Sequence, residues 1–331
     1  MIDWSLVFQW AFLIALVSAG IRLAVPVLLA TLGEIITERA GISNLGLEGI
    51  MAVGGLAGFS AAYYLENGAL AGVGDELPAW LGLAAGMVCG ALMGALMAFL
   101  SVTLRAEQVI SGITLVLLGV GVSDYLYREG LSSMTARVTG MQVYPIPLLS
   151  RIPVLGEILF THTPPVYLTF ILVAVVWWLL FKTTWGLNFR SVGENPAAAD
   201  TSGVNVEATR YAAVILGAAL VGLGGAVLTV VQLKLYREGI IAGRGWIAVA
   251  LVIFARWKPT RALLGALLFG VADSLQYRIQ ALDQSGAGGG TVPYEFLLML
   301  PYILTLLALL QRVRRSDQPS ELGRPYIKGS R

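Results

Sequence analysis

Long apolar runs separated by short polar segments dominate the hydropathy pattern of this chain. A helix needs about 20 mostly apolar residues to cross about 30 Å of hydrocarbon. Runs of this kind lie at roughly 5–32, 44–65, 79–104, 108–127, 165–182, 209–233, 262–280 and 294–311. A shorter apolar stretch at 246–256 predicts a short span or one half of a broken helix. The pattern therefore predicts an all-α polytopic membrane protein with about 8–10 transmembrane helices.

Composition supports the membrane class and excludes several others. Of the 331 residues, 57% are hydrophobic and 13% charged, whereas an ordinary soluble domain has about 25% charged residues. A water-soluble fold of this size could not hide so much apolar surface, which excludes a soluble enzyme and a disordered chain. The net charge of +2 gives no reason to expect a nucleic-acid partner. We expect membrane lipid to surround the chain.

Cysteine and histidine are too rare in this sequence to predict a metal site or a disulfide framework. Cys89 is the single cysteine of the sequence and lies in an apolar run, and His162 is the single histidine. Because His162 falls in a loop, we expect its ring to be solvated. The sequence contains no phosphate-binding GxxxxGK[ST] stretch, no HExxH and no serine-nucleophile elbow. We therefore predict no catalytic residues and no cofactor bound by this chain.

The basic residues predict an orientation and a domain plan. One predicted side carries 14 of the 22 Lys and Arg residues, and the side richer in basic residues is cytoplasmic. It comprises the C-terminal tail, the segment 182–210, the turn 256–261, Arg39 and Arg105. We predict a transmembrane domain at 1–311 with an irregular external loop at 128–163 and an external turn at 284–291. Residues 312–331 are predicted to form a mobile, basic cytoplasmic tail.

A strict four-residue glycine repeat marks the third predicted span. The repeat comprises Gly82, Gly86, Gly90 and Gly94. Residues four apart lie on one stripe of a helix, and glycine lets a neighbouring backbone approach closely. The stripe therefore predicts a helix-packing surface, with a narrow permeation wall as the second interpretation.

A polar segment at 32–51 interrupts the expected hydrophobicity. Its charged or amide side chains are Glu34, Glu38, Arg39, Asn44 and Glu48. Such groups are costly in a membrane unless they face a cavity or a partner, and Gly46 permits irregular backbone. One interpretation is a translocation path lined by Glu34, Asn44, Gly46 and Glu48. The other is an ordinary polar loop in which Glu38 and Arg39 pair in solvent.

A second polar segment, 183–205, predicts a short helix between two spans. Pro196 suits the first position of a helix over 196–202, and Gly203 suits its end. This helix is either a docking site for a cytoplasmic partner or a simple surface loop. A third interruption at 239–261 places Arg244 between two glycines, and the eleven uncharged residues 245–255 separate it from Arg256. This length favours a re-entrant or broken element.

Three blocks, taken together, resemble one known family. The stretches ERAGISNLGLEGIM (38–51), GLNFRSVGENPAAADTSGVN (186–205) and GRGWIAVALVIFARWKP (243–259) resemble the permease subunits of ABC importers for simple sugars and nucleosides. These belong to the superfamily of branched-chain amino-acid and ribose permeases. The first block looks closest to the nucleoside branch. The resemblance covers nearly the whole chain.

The resemblance implies a fold, a set of partners and a location. The fold would be the transmembrane domain of a type II ABC importer. A second permease, either a different chain or an identical one, would complete the path, and two cytoplasmic ATPase subunits would bind ATP-Mg. A periplasmic or lipid-anchored solute-binding protein would deliver the solute. The chain would lie in the prokaryotic plasma (inner) membrane.

The resemblance also implies which residues couple the chain to its ATPase. The coupling segment would be 186–205, with the residues Arg190, Gly193, Glu194, Asn195, Pro196, Ala198 and Gly203. The implied function is import of a nucleoside or simple sugar, with branched-chain amino acids as an alternative. The rival from a different class is a proton-coupled secondary carrier, in which Glu34 and Glu48 would titrate.

Overall fold

A computed structural model describes residues 9–71, 76–131, 136–282, 299, 303 and 317–328. Residues 5–8 of the first predicted span, the predicted turn 284–291 and, apart from residues 299 and 303, the predicted span 294–311 lie outside the described residues.

Helices account for almost all regular structure in the described part of the chain. The long helices are α1 (Trp10–Arg39), α2 (Leu47–Asn67), α3 (Leu77–Ala98, continued by a π-helix at Phe99–Thr103), α4 (Gln108–Gly130), α6 (Pro164–Lys182), α9 (Val206–Ala226, continued by a π-helix at Val227–Gln232) and α11 (Pro259–Leu282). The shorter ones are α5 (Leu155–Leu159), α7 (Thr184–Glu194), α8 (Pro196–Thr201), α10 (Arg244–Ala255) and a 3₁₀ turn at Leu149–Arg151. A two-stranded antiparallel sheet joins β1 (Tyr144–Pro145) to β2 (Thr161–His162).

The helices follow the predicted spans closely. Seven of the eight predicted spans are long helices, and the short apolar stretch is the 12-residue α10. Within the described residues, five helices are long and apolar enough to cross a membrane. They are Trp10–Arg39, Leu77–Thr103, Gln108–Gly130, Pro164–Lys182 and Val206–Gln232. The prediction of an all-α polytopic membrane protein is confirmed.

Helix α1 runs further than predicted. It continues to Arg39 rather than ending near residue 32, and it passes through Pro26 without a break. Proline has no N–H, so it leaves the carbonyl of Arg22 without its helical donor. The side-chain amide of Gln232 donates to that carbonyl instead. This replacement bond keeps the helix continuous where lipid offers no donor.

The glycine stripe lies where α3 packs against α2 and α9. A Cβ added at Gly82 would lie 2.6 Å from the Gly58 carbonyl oxygen, and one at Gly90 would lie 2.5 Å from that of Ala218. Equivalent additions at Gly86 and Gly94 would come 2.5 Å and 2.4 Å from the Cβ atoms of Ala226 and Ala218. No side chain fits at these separations, so the three helices meet backbone to backbone.

The loops gather at two ends of the fold. At one end, the loop 136–163 bonds back to neighbouring turns, with the Gln142 N–H donating to Glu76 at 2.9 Å. His162 in this loop is fully buried, and its Nε2–H donates to the Ile158 carbonyl at 2.7 Å. The expectation of a solvated histidine is therefore wrong, because the β1–β2 pair and α5 enclose the ring.

The other end, called here the basic end, brings together the end of α1, the helices α7 and α8, the start of α9, the end of α10 and residues 317–328. The Glu321 N–H donates to the Gly193 carbonyl at 3.0 Å, and the Gly323 N–H donates to the Gly41 carbonyl at 3.1 Å. The prediction of a mobile tail is therefore wrong for residues 317–328, since backbone hydrogen bonds hold them to the rest of the fold.

Candidate functional site

The chain folds back on itself directly after α1, within the first polar segment. The N–H of Asn44 donates to Glu34 Oε1 at 2.8 Å, and Asn44 Oδ1 accepts from the Gly46 N–H at 2.9 Å. Asn44 and Glu34 are both buried, at 0% and 1% exposure. Three of the four residues predicted for the path therefore form one hydrogen-bonded turn, and within this single chain its polar atoms face the protein interior.

The fourth predicted path residue, Glu48, binds the start of the short helix α10. Its two carboxylate oxygens accept from the N–H groups of Gly243 and Gly245 at 2.8 Å and 2.7 Å. Those N–H groups belong to a helix N-terminus, where no helical acceptor is available and the dipole favours a negative charge. A Cβ at Gly245 would lie 2.4 Å from the Glu48 nitrogen, so only glycine permits this approach.

The opposite end of α10 is fixed by the last turn of α1. The indole Nε1–H of Trp257 donates to Glu38 Oε2 at 2.5 Å, and the Arg39 guanidinium donates to the Trp257 carbonyl at 3.2 Å. Trp257 has a left-handed backbone, with φ 54°, as does Arg256 before it. The alternative interpretation, in which Glu38 and Arg39 pair in solvent, is wrong. Both side chains bind Trp257 instead and so hold the C-terminal end of α10 against α1.

The second polar segment contains two helices joined at Asn195. The helix α8 begins at Pro196, as predicted, and the Asn195 side-chain oxygen accepts from the Ala198 N–H at 3.0 Å. An asparagine in this position satisfies an otherwise unpaired donor at a helix start. The helix ends before Gly203, whose φ of +87° suits glycine.

One face of α8 is attached to the fold and the other is open. Ala199 is buried with Val192 of α7 and Val206 of α9 in a small apolar cluster. Ala197 and Ala198 point outward and are exposed. The outward face therefore consists of small side chains, which leave the helix backbone accessible to another protein.

The residues before Asn195 connect α8 to the end of α1. A Cβ at Gly193 would lie 2.3 Å from the Arg39 carbonyl oxygen, so α7 touches α1 at its backbone. The Arg190 guanidinium lies 5.3 Å from the Phe181 ring centroid, and that of Arg39 lies 5.9 Å from the same centroid. Glu194 is exposed and accepts from the Ser320 hydroxyl at 2.9 Å.

Sequence reasoning missed two further residues of this end. Trp257 stood in a recognised block but had no predicted partner, and Arg210 was counted only as a basic residue. Arg210 is buried, and its Nη1 donates to the Arg324 carbonyl at 3.2 Å. The position of Arg210 near the start of a span did not predict its burial or its partner, because the carbonyl that it binds lies 114 residues away in the tail.

Comparison with known proteins decides the family. A family model described as the permease component of branched-chain amino acid transport systems matches residues 16–309. The chain belongs to this permease family. It is therefore a multi-pass protein of the plasma membrane, as predicted. No solved structure matches it.

Curated relatives cover nearly the whole permease. It is 39% identical to the ABC transporter permease protein TsgC13 of Haloferax volcanii, with 96% of this chain and 98% of the relative covered. It is 38% identical to the nucleoside ABC transporter permease protein NupC of Lactococcus lactis, covering 92% and 93%. The guanosine ABC transporter permease protein NupQ of Bacillus subtilis is also 38% identical, covering 96% and 97%. More distant matches include the glucose permease TsgB13 of Haloferax volcanii and the guanosine permease NupP of Bacillus subtilis.

Proposed function

We propose that this permease is a transmembrane subunit of an ATP-driven importer and forms part of the path for a nucleoside or simple sugar. The names of the relatives support this substrate class, since they include nucleoside, guanosine and glucose permeases. The sequence offers no phosphate-binding loop. ATP hydrolysis is therefore assigned to separate ATPase subunits, with a solute-binding protein on the opposite side of the membrane.

The observation that carries the proposal is the open face of α8 at the basic end. A coupling helix must present a surface to the ATPase and transmit its movement to the spans. Ala197 and Ala198 provide an exposed face, while Ala199 packs on Val192 and Val206. Movement of α8 would therefore pass directly to α7 and α9, and through Gly193 to the end of α1.

A second permease is proposed to complete the path. Two of the systems named among the relatives include two different permeases each, TsgC13 with TsgB13 and NupQ with NupP. Helices α3 and α4 expose large apolar side chains, among them Leu92 and Leu117 at 64% and 71%. Such surfaces suit lipid or a second membrane subunit, and we favour a different chain as the second subunit.

The segment 34–48 is proposed to form a wall of the path rather than a set of freely projecting ligands. Glu34, Asn44, Gly46 and Glu48 bond mainly to backbone within the chain. Their substitution is therefore expected to act through the shape of the wall. Uptake lost from Asn44→Ala with normal assembly would support direct contact with solute, whereas loss of assembly would support the wall.

Replacing Glu194–Pro196 by a Gly-Ser linker tests the coupling role. The expected result is loss of solute-stimulated ATP hydrolysis in the complex reconstituted with its ATPase and binding protein. The matched control replaces residues 69–71, a turn after α2, by the same Gly-Ser linker. This variant should keep its solute-stimulated ATP hydrolysis. Unchanged stimulation in the Glu194–Pro196 variant would contradict the proposal.

Competition for uptake tests the substrate class. Cells expressing the complete system are given a labelled nucleoside together with an excess of unlabelled nucleosides, simple sugars or branched-chain amino acids. We expect a nucleoside or sugar to compete and an amino acid to be ineffective. Uptake that persists without the ATPase subunits would contradict the ATP-driven proposal and favour a secondary carrier.

A further inference from the structure

Residues 317–328, called here the C-terminal strap, cross the basic end over the segment assigned to coupling. The strap binds the last two residues of α7, which lie immediately before the junction at Asn195. The Glu321 N–H donates to the Gly193 carbonyl at 3.0 Å, and the Ser320 hydroxyl donates to Glu194 Oε2 at 2.9 Å. The strap therefore holds the two residues immediately before the point where α7 ends and α8 begins.

The same strap also binds residues at the ends of α1, α9 and α10. The Gly323 N–H donates to the Gly41 carbonyl at 3.1 Å, just after α1. Arg210 of α9 donates to the Arg324 carbonyl at 3.2 Å, and Arg256 at the end of α10 forms an ion pair with Asp317 at 3.4 Å. Because Arg210 is buried, its charge needs such acceptors. One short peptide thus connects α7 with the ends of α1, α9 and α10.

The outer face of the strap continues the surface of α8. Lys328 forms an ion pair with Asp200 of α8 at 3.1 Å, and Tyr326 packs on the cluster that contains Ala199. Between them lies a cavity of about 420 Å³, lined mostly by polar residues. Its lining includes Asp200 and Glu207 from one side and Tyr326 and Lys328 from the strap. A protein that covers the exposed face of α8 would therefore also cover Tyr326 and Lys328.

We propose that the C-terminal strap is a working part of the ATPase-docking surface: it fixes α8 against the membrane helices and contributes Tyr326 and Lys328 to the contact. The inference rests on the proposed function, since it takes α8 to be the coupling helix. Without the strap, the junction at Asn195 would still be joined to α9 through the chain. It would keep the direct contact of Gly193 with Arg39 but lose the strap's hydrogen bond to Gly41 and its ion pair with Arg256, which give α8 a second connection to the ends of α1 and α10.

Glu321→Pro tests the positioning role. Proline removes the N–H that binds Gly193 and restricts the residue before it. The matched control is Arg324→Ala, because the Arg324 side chain is 70% exposed and its carbonyl, which Arg210 uses, is retained. In the complete complex we expect Glu321→Pro to lower solute-stimulated ATP hydrolysis by about fivefold to tenfold, with normal membrane levels. Stimulation equal to that of Arg324→Ala would overturn the positioning role.

Lys328→Gln tests the docking role by removing one positive charge from a side chain that is 79% exposed and that pairs with Asp200 of α8. We expect the affinity of the permease complex for the purified ATPase to fall by about fivefold, and the loss to shrink at high salt. Unchanged affinity would overturn the docking role, whether or not Glu321→Pro accumulates.

If the Gly-Ser replacement of Glu194–Pro196 also leaves stimulation unchanged, the proposed function fails. If that replacement abolishes stimulation and the strap variants do not, only the strap inference fails.

Discussion

Replacing Glu48 by alanine is expected to destabilise the fold rather than act only on transport. The substitution leaves the N–H groups of Gly243 and Gly245 without their acceptor at 2.8 Å and 2.7 Å. Leaving a buried donor unsatisfied costs about 1–3 kcal/mol, so two of them cost about 4 kcal/mol. At about 2 °C per kcal/mol, the melting temperature should fall by roughly 8 °C. Glu48→Gln keeps one good acceptor oxygen and should lose roughly half as much.

The measurement is thermal unfolding of the detergent-solubilised permease, followed by size-exclusion chromatography of the fraction that remains folded. Glu129→Ala is the control, because Glu129 is exposed near the end of α4, and it should melt like the wild type. The reasoning is refuted if Glu48→Ala melts within about 2 °C of the wild type. Uptake lost at unchanged stability would then identify Glu48 as a group that contacts the solute.

Three further substitutions test other contacts by the same thermal assay. Gly86→Ala should destabilise, because its Cβ would lie 2.5 Å from that of Ala226, whereas Gly121→Ala, with nothing within 4 Å, should not; equal melting of the two would contradict the backbone-to-backbone contact. Trp257→Phe should cost about 1–3 kcal/mol by removing a donor from a buried carboxylate, and wild-type stability would argue against that bond. Burial lowers the pKa of His162, so the neutral ring contributes stability above about pH 6.5 that is lost as the pH falls. The fall in melting temperature from about pH 7 to pH 5 should be smaller in His162→Gln, and an identical fall would refute this.

Local features were predictable because their physical causes lie within a few residues. Apolar runs of sufficient length predicted seven long helices of the described residues, five of which are long and apolar enough to cross a membrane. Pro196, Asn195 and Gly203 sit at the boundaries of α8 because caps and stops act over one helical turn. The four-residue glycine repeat predicted a close-packed face for the same reason. Helix ends were harder, and α1 runs on to Arg39 because buried partners stabilise Glu34 and Glu38 inside the helix.

The sequence alone determined that this chain is a polytopic permease and that polar groups at 34–48 need partners inside the membrane. Only the tertiary structure decided which partners they take. Glu48 bonds residues almost 200 positions away, Glu38 bonds Trp257, and the C-terminal strap binds Gly41 and Gly193. Hydropathy states that a buried charge must be satisfied, because lipid offers no hydrogen bond. The choice among distant acceptors and donors depends on how the helices pack, and the order of residues along the chain does not specify that packing locally.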